Sequence, residues 1–132
     1  MKSFVAIISL ALVASSMAVT EQEKEAARQL AGKCMQQTGA SEDSVQRLRN
    51  GDTSDADSNT RCFVQCFFQG AGFVDADGNV QEEHVIEKMS AEFDRAKAEE
   101  VVSRCRNNAG PNACERSFAL LQCYIANRAH LV

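Results

Sequence analysis

Proline is nearly absent from this chain: Pro111 is the only one in 132 residues. Helices are therefore free of their strongest internal breaker. Histidine is scarce too, limited to His84 and His130. No Gly-x-Ser-x-Gly elbow occurs, and nothing pairs a histidine with a nucleophile, so no residue set nominates an enzyme active site. No stretch alternates apolar and polar residues for long enough to make a strand. The Asn-x-Ser/Thr sequon is missing, which removes N-glycosylation. Basic residues are outnumbered, 14 against 18 acidic, for a formal net charge of −4. An acidic surface disfavours nucleic acid and anionic membranes as partners.

One apolar run is present, and it lies at the start. Lys2 gives a short basic lead, Phe4 to Ala14 is interrupted only by Ser9, and Ser16-Met17-Ala18 supplies small residues where a signal peptidase reads. The run is shorter than the ~20 residues needed to span a bilayer. Residues 1–18 are therefore expected to be a signal peptide, and residues 19–132 a single secreted domain. Removing Lys2 takes the net charge from −4 to −5. Stable membrane insertion is not expected.

What is abundant is cysteine. Cys34, Cys62, Cys66, Cys105, Cys114 and Cys123 are separated by 27, 3, 38, 8 and 8 residues. An even set in a small secreted chain reads as a disulfide framework. Cys62 and Cys66 fall one turn apart on one helical face, whereas Cys114 and Cys123 point to opposite faces. Each pair thus tends to reach outward to other elements. A zinc site is not expected, because no histidine accompanies the cysteines and secretion favours oxidation. No cofactor is expected either.

Periodicity and caps predict an all-α domain. Thr20-Glu21-Gln22-Glu23 is a capping box opening a helix to about Gln37, with Ala27, Leu30, Ala31, Cys34 and Met35 apolar and Gly39 as the stop. Ser41 opens a short helix to Arg49. A polar, solvated loop over 51–58 precedes a third helix, about Asn59 to Gly70. Asp75 to Asn79 reads as a turn; counted as a calcium loop it puts Ile86 where a bidentate carboxylate is required. A fourth helix covers about Glu82 to Met89. Ser90 is expected to cap a fifth that runs to about Asn108, and Pro111 to start the sixth. Helix six is apolar almost all round, as a buried central helix would be. Cys114, Phe118, Leu121 and Ile125 share one of its faces. Phe63, Phe67 and Phe68 cannot all share one narrow stripe on helix three, so some of these rings are expected to line a cavity.

The residues resemble those of the insect odorant-binding proteins of the six-cysteine type. The likeness rests on three residues between the second and third cysteines and eight between the fifth and sixth. Local stretches add to it: Arg47-Leu48-Arg49-Asn50-Gly51, Cys62-Phe63-Val64-Gln65-Cys66, Gly72-Phe73 and Asn127-Arg128-Ala129-His130. The resemblance implies a six-helix, disulfide-stapled fold enclosing an apolar cavity, with bridges Cys34–Cys66, Cys62–Cys114 and Cys105–Cys123. Sequence alone leaves fifteen pairings open. It also implies a non-enzymatic carrier that takes small hydrophobic odorants or pheromones through aqueous lymph, with an odorant receptor as a further partner. An alternative keeps the fold and changes the role, to a scavenger or transporter of fatty acids or other small apolar compounds in a non-olfactory fluid. Saposin-like membrane-active proteins also carry six cysteines, but at other spacings.

The expected pocket wall is Phe67, Val85, Ile86, Met89, Phe118, Leu121 and Ile125. Relatives with a long segment after the sixth cysteine insert it into the cavity at low pH. Here Tyr124 to Val132 follow, so that device is not expected, although Leu131 and Val132 are placed to cover a cavity mouth. His84 and His130 are the side chains of the type that titrates nearest neutral pH.

Overall fold

The computed structural model describes residues 20–131. The expected signal peptide over 1–18, Val19 and the terminal Val132 lie outside them. Among the described residues six α-helices follow in order: α1 Glu21–Thr38, α2 Glu42–Arg49, α3 Ser58–Gly70, α4 Glu82–Ser90, α5 Arg95–Cys105 and α6 Ala113–Asn127. A short 3-10 turn, Arg128–Leu131, closes the described chain. The only extended pairing among the described residues is one antiparallel bridge between Val74 and Val80.

Local chemistry sets the helix ends. Thr20 Oγ1 accepts from the Glu23 N–H at 3.0 Å while Glu23 Oε1 accepts from the Thr20 N–H at 3.1 Å, a complete capping box. Side-chain oxygens of Ser41, Asp57 and Asn112 accept from the first-turn N–H groups of α2, α3 and α6. Asp57 is therefore a helix cap and not merely part of a solvated loop. Gly39, at φ 78°, ends α1 in the left-handed region that favours glycine. Three expected boundaries shift, one of them the end of α5, which lies at Cys105 and not near Asn108. Ser90 is the last residue of α4, not the cap of α5; Asp94 caps α5 by accepting from the Lys97 N–H. Carboxylate and hydroxyl both satisfy a free N–H, so the sequence offers two starts, and the turn at 91–94 decides for the second. Pro111 lies just ahead of the α6 cap, Asn112, and not inside the helix.

Three disulfides link the helices in series. Cys34–Cys66 joins α1 to α3, Cys62–Cys114 joins α3 to α6, and Cys105–Cys123 joins α6 to α5. Helices α2 and α4 carry no cysteine and are held by packing, ion pairs and hydrogen bonds. The core divides in two. One half gathers Ala31, Cys34, Val45, Phe63, Val64 and Phe118 where α1, α2, α3 and α6 meet. The other gathers Val74, Val101, Cys105, Leu120 and Leu131 around α5, α6 and the last turn. Helix α6 supplies both halves. Leu131 is 3% exposed, so the end of the described chain is anchored in the second core.

Candidate functional site

Two apolar hollows flank the middle of α6. The first, about 470 Å³, lies among α1, α2, α3 and α6. Its walls include Ala27, Ala31, Leu48, Phe63 and Phe67. Three cationic side chains, Lys24, Arg28 and Arg49, also line it. Lys24, Ala27, Arg28 and Ala31 recur at the i, i+3, i+4, i+7 spacing of one helical face, so α1 turns this whole stripe toward the hollow.

The second hollow, about 360 Å³, is bounded by the end of α3, the loop that follows, α4, α5 and α6. Its surface includes Phe73, Val80, Val85, Met89, Phe93, Val101, Val102, Leu120 and Tyr124, and among the described residues Lys88 and Glu92 are the only charged side chains on it. Burial pushes the Tyr124 phenol up from its ordinary pKa, with Glu92 adding to the shift and Arg128 opposing it. At neutral pH this wall therefore carries a neutral hydroxyl. Phe68 and Leu121 line both hollows, so these two side chains stand at the boundary between them.

One wall of the second hollow is α4, a helix without a cysteine. Lys88 Nζ lies 3.2 Å from Glu23 Oε2, tying α4 to the first turn of α1. Arg95 pairs with Glu83 at 2.9 Å and Arg106 with Glu82 at 3.8 Å, tying α4 to α5 and the residue after it. The bond from the Thr20 N–H, followed by Lys88, holds the Glu23 carboxyl below the usual carboxylate range. His84 is exposed, with Nε2 3.0 Å from the Ala71 carbonyl oxygen and its ring against Phe73. His130 is exposed in the last turn.

Of the residues expected on the pocket wall, Phe67 lines the first hollow, Val85 and Met89 the second, and Leu121 both. Ile86, Phe118 and Ile125 line neither. Phe118 is buried among Phe63 and Val64, with the Arg61 guanidinium 4.9 Å from its ring centroid. Ile86 is buried on α4, and Ile125 is half-buried near the end of α6. Phe68, Phe73, Phe93, Leu120 and Tyr124 line the second hollow and stand outside the seven-residue wall expected from the sequence. For Phe68 a signal existed: three rings on α3 exceed one stripe, and all three line a hollow, Phe63 and Phe67 the first and Phe68 both.

The profile of the PBP/GOBP family matches residues 16–127. The chain belongs to that family. General odorant-binding protein 56a of Drosophila melanogaster is 29% identical over 112 residues, spanning 85% of this chain and 80% of that one. Odorant-binding protein 10 of Aedes aegypti is 31% identical over 100 residues, spanning 75% and 71%. Among solved structures, the fatty acid binding protein OBP56a from the oral disk of the blowfly Phormia regina superposes with a TM-score of 0.75. It is 31% identical, and the match covers 86% of this chain and 97% of that one. Members of the PBP/GOBP family are secreted, soluble, non-enzymatic proteins that bind small hydrophobic ligands. Their three-bridge, six-helix architecture is the one described above. Among the described residues no helix is long and apolar enough to cross a membrane.

Proposed function

We propose that this protein carries a small hydrophobic ligand, an odorant or pheromone, through an aqueous secreted fluid such as sensillum lymph and delivers it to a receptor. The observation that supports this most is the second hollow. Its size falls within the ~300–1,000 Å³ range of small-molecule pockets, and its wall is almost wholly apolar with few polar groups. Burying roughly 200 Å² of apolar ligand surface there contributes about 5 kcal/mol before the costs of immobilisation. Phe68, Val85, Met89, Leu121 and Tyr124 are the side chains we assign to contact with the ligand. The secreted form begins at Val19, after loss of residues 1–18.

Two measurements test this reading. Delipidated protein is titrated with a hydrophobic fluorescent probe, which volatile apolar compounds are expected to displace. Failure of every apolar compound to do so would overturn the carrier reading. The mass of the protein exported from insect cells is expected to correspond to a chain starting at Val19; retention of residues 1–18 would overturn the export reading.

The likeness to a blowfly protein that binds fatty acids in the oral disk supports a second reading, transport of fatty acids in a non-olfactory fluid. Tissue separates the two. Transcript confined to olfactory sensilla supports the first, and transcript confined to mouthparts, gut or gland supports the second.

A further inference from the structure

The two hollows differ in charge in a way that a purely neutral ligand does not use. Among the described residues the first is lined by Lys24, Arg28 and Arg49 and by no carboxylate. The second has one charge of each sign, Lys88 and Glu92, and Lys88 is already engaged by Glu23. The cations of the first hollow are available. Lys24 and Arg28 pair with Glu21 and Glu25 of their own helix at 3.6 and 2.9 Å, with all four side chains largely in water. Such exposed pairs are weak and exchange readily for another anion. Arg49 makes no ion pair among the described residues and is hydrogen-bonded only to Gln46. Long cationic side chains at the edge of an apolar wall keep their stems on the wall and their charged ends in solvent.

We propose that the two hollows act as one site for an elongated anionic amphiphile, a long-chain carboxylate. The carboxylate lies at Lys24, Arg28 and Arg49 in the first hollow. The alkyl tail passes Phe68 and Leu121 and ends in the second hollow beside Tyr124. This inference rests on the carrier reading, takes up the fatty-acid class already named there, and adds the ligand's orientation and the residues that hold its head. Phe68 and Leu121 form the threshold because they are the two side chains common to both walls. A ligand too short to cross it occupies one hollow and leaves the other's apolar surface wet. Affinity for carboxylates therefore rises with chain length until both hollows are filled.

The chain contains a built-in reporter of orientation. It has no tryptophan and a single tyrosine, Tyr124, on the wall of the second hollow. Delipidated full-length secreted protein is titrated with two brominated hexadecanoates, one carrying bromine at the terminal carbon and one next to the carboxylate. The terminal bromine is expected to quench Tyr124 fluorescence more strongly. Equal quenching, or stronger quenching by the head-group bromine, would overturn the orientation. In parallel, K24Q, R28Q and R49Q are combined in one variant. These are surface changes, and unchanged circular dichroism verifies the fold. Hexadecanoate affinity is expected to fall on the order of tenfold, as for the loss of two or three solvent-exposed charge contacts, while hexadecanol affinity stays the same. An equal effect on both ligands, or none on either, would overturn the head-group assignment and leave the carrier reading standing. If neither hexadecanoate nor hexadecanol displaces a neutral apolar probe from the unmodified protein, the carrier reading itself fails.

Discussion

The Ser117 hydroxyl donates to Gln65 Oε1 in the interior of the domain, joining the middle of α6 to the middle of α3. Both side chains are buried, Ser117 completely. The same Gln65 amide donates through Nε2 to the Asp75 carbonyl at 3.1 Å, with further contacts to the Ala76 carbonyl and Gln69 Oε1. A polar pair between two apolar helices therefore fixes their register and hangs the 75–79 turn from α3. That turn, braced inside by Asp75 Oδ1 accepting from the Asp77 and Asn79 N–H groups, leads into Val80 and Val85 on the wall of the second hollow.

Ser117→Ala leaves Gln65 Oε1 buried without its donor. We predict a loss of about 1–3 kcal/mol, the cost of an unsatisfied buried acceptor. Denaturant unfolding should show a lower midpoint at an unchanged slope, and affinity for a hydrophobic probe should stay within about threefold. A variant as stable as the parent would show that the pair contributes register alone.

The series of bridges predicts its own peptide map. Digestion without reduction should link Cys34 to Cys66, Cys62 to Cys114 and Cys105 to Cys123, with no free thiol. Replacing Cys62 and Cys114 together by serine removes the only covalent link between α3 and α6 and should cost about 2–5 kcal/mol. A Cys62–Cys66 peptide would contradict the geometry, since each is bridged to a different helix.

Leu121→Asp places a carboxylate on the boundary of both hollows. Probe binding should be lost, because an unpaired charge on an apolar wall is strongly disfavoured. Ile125→Asp is the contrast. Ile125 lines neither hollow, so binding should persist there in any variant that folds. Loss of binding in a folded Ile125→Asp, with retention in Leu121→Asp, would exchange their assignments.

Acid should loosen the hold on α4 through Glu23. Its carboxyl is held below its ordinary value of 4.5 by the Thr20 N–H and by Lys88. A depressed carboxyl stabilises the fold above its ordinary titration range, and that contribution disappears as pH falls through the lowered value. The Lys88 tether on α4 is then released. Ligand dissociation measured by stopped-flow fluorescence should quicken as pH drops below about 4.5. Glu23→Gln retains the capping geometry and removes the charge. It should dissociate faster already at neutral pH and respond less to acid. An acid response as large in Glu23→Gln as in the parent would transfer the effect to other carboxylates, Glu92 on the same hollow first.

Much of the architecture was determined by the sequence alone, because helix ends are short-range chemistry. Thr20, Ser41 and Gly39 mark their boundaries through groups within four residues of themselves, and the apolar spacing of Ala98, Val101, Val102 and Cys105 marks the buried face of α5. The six-cysteine spacing carried the family. The walls of the hollows were decided only in three dimensions. Helix α6 is apolar nearly all round, so its sequence does not say which side meets a void: Phe118 enters solid core, Leu121 meets two hollows, and Leu120, from the opposite face, meets one. The charged edge of the first hollow was likewise hidden, because Lys24 and Arg28 look in sequence like any solvated helix surface until α2 brings Arg49 beside them. Which side chains pack and which surround a space depends on how the helices cross, and that crossing is fixed by long-range bridges and the buried Gln65–Ser117 pair, not by local periodicity.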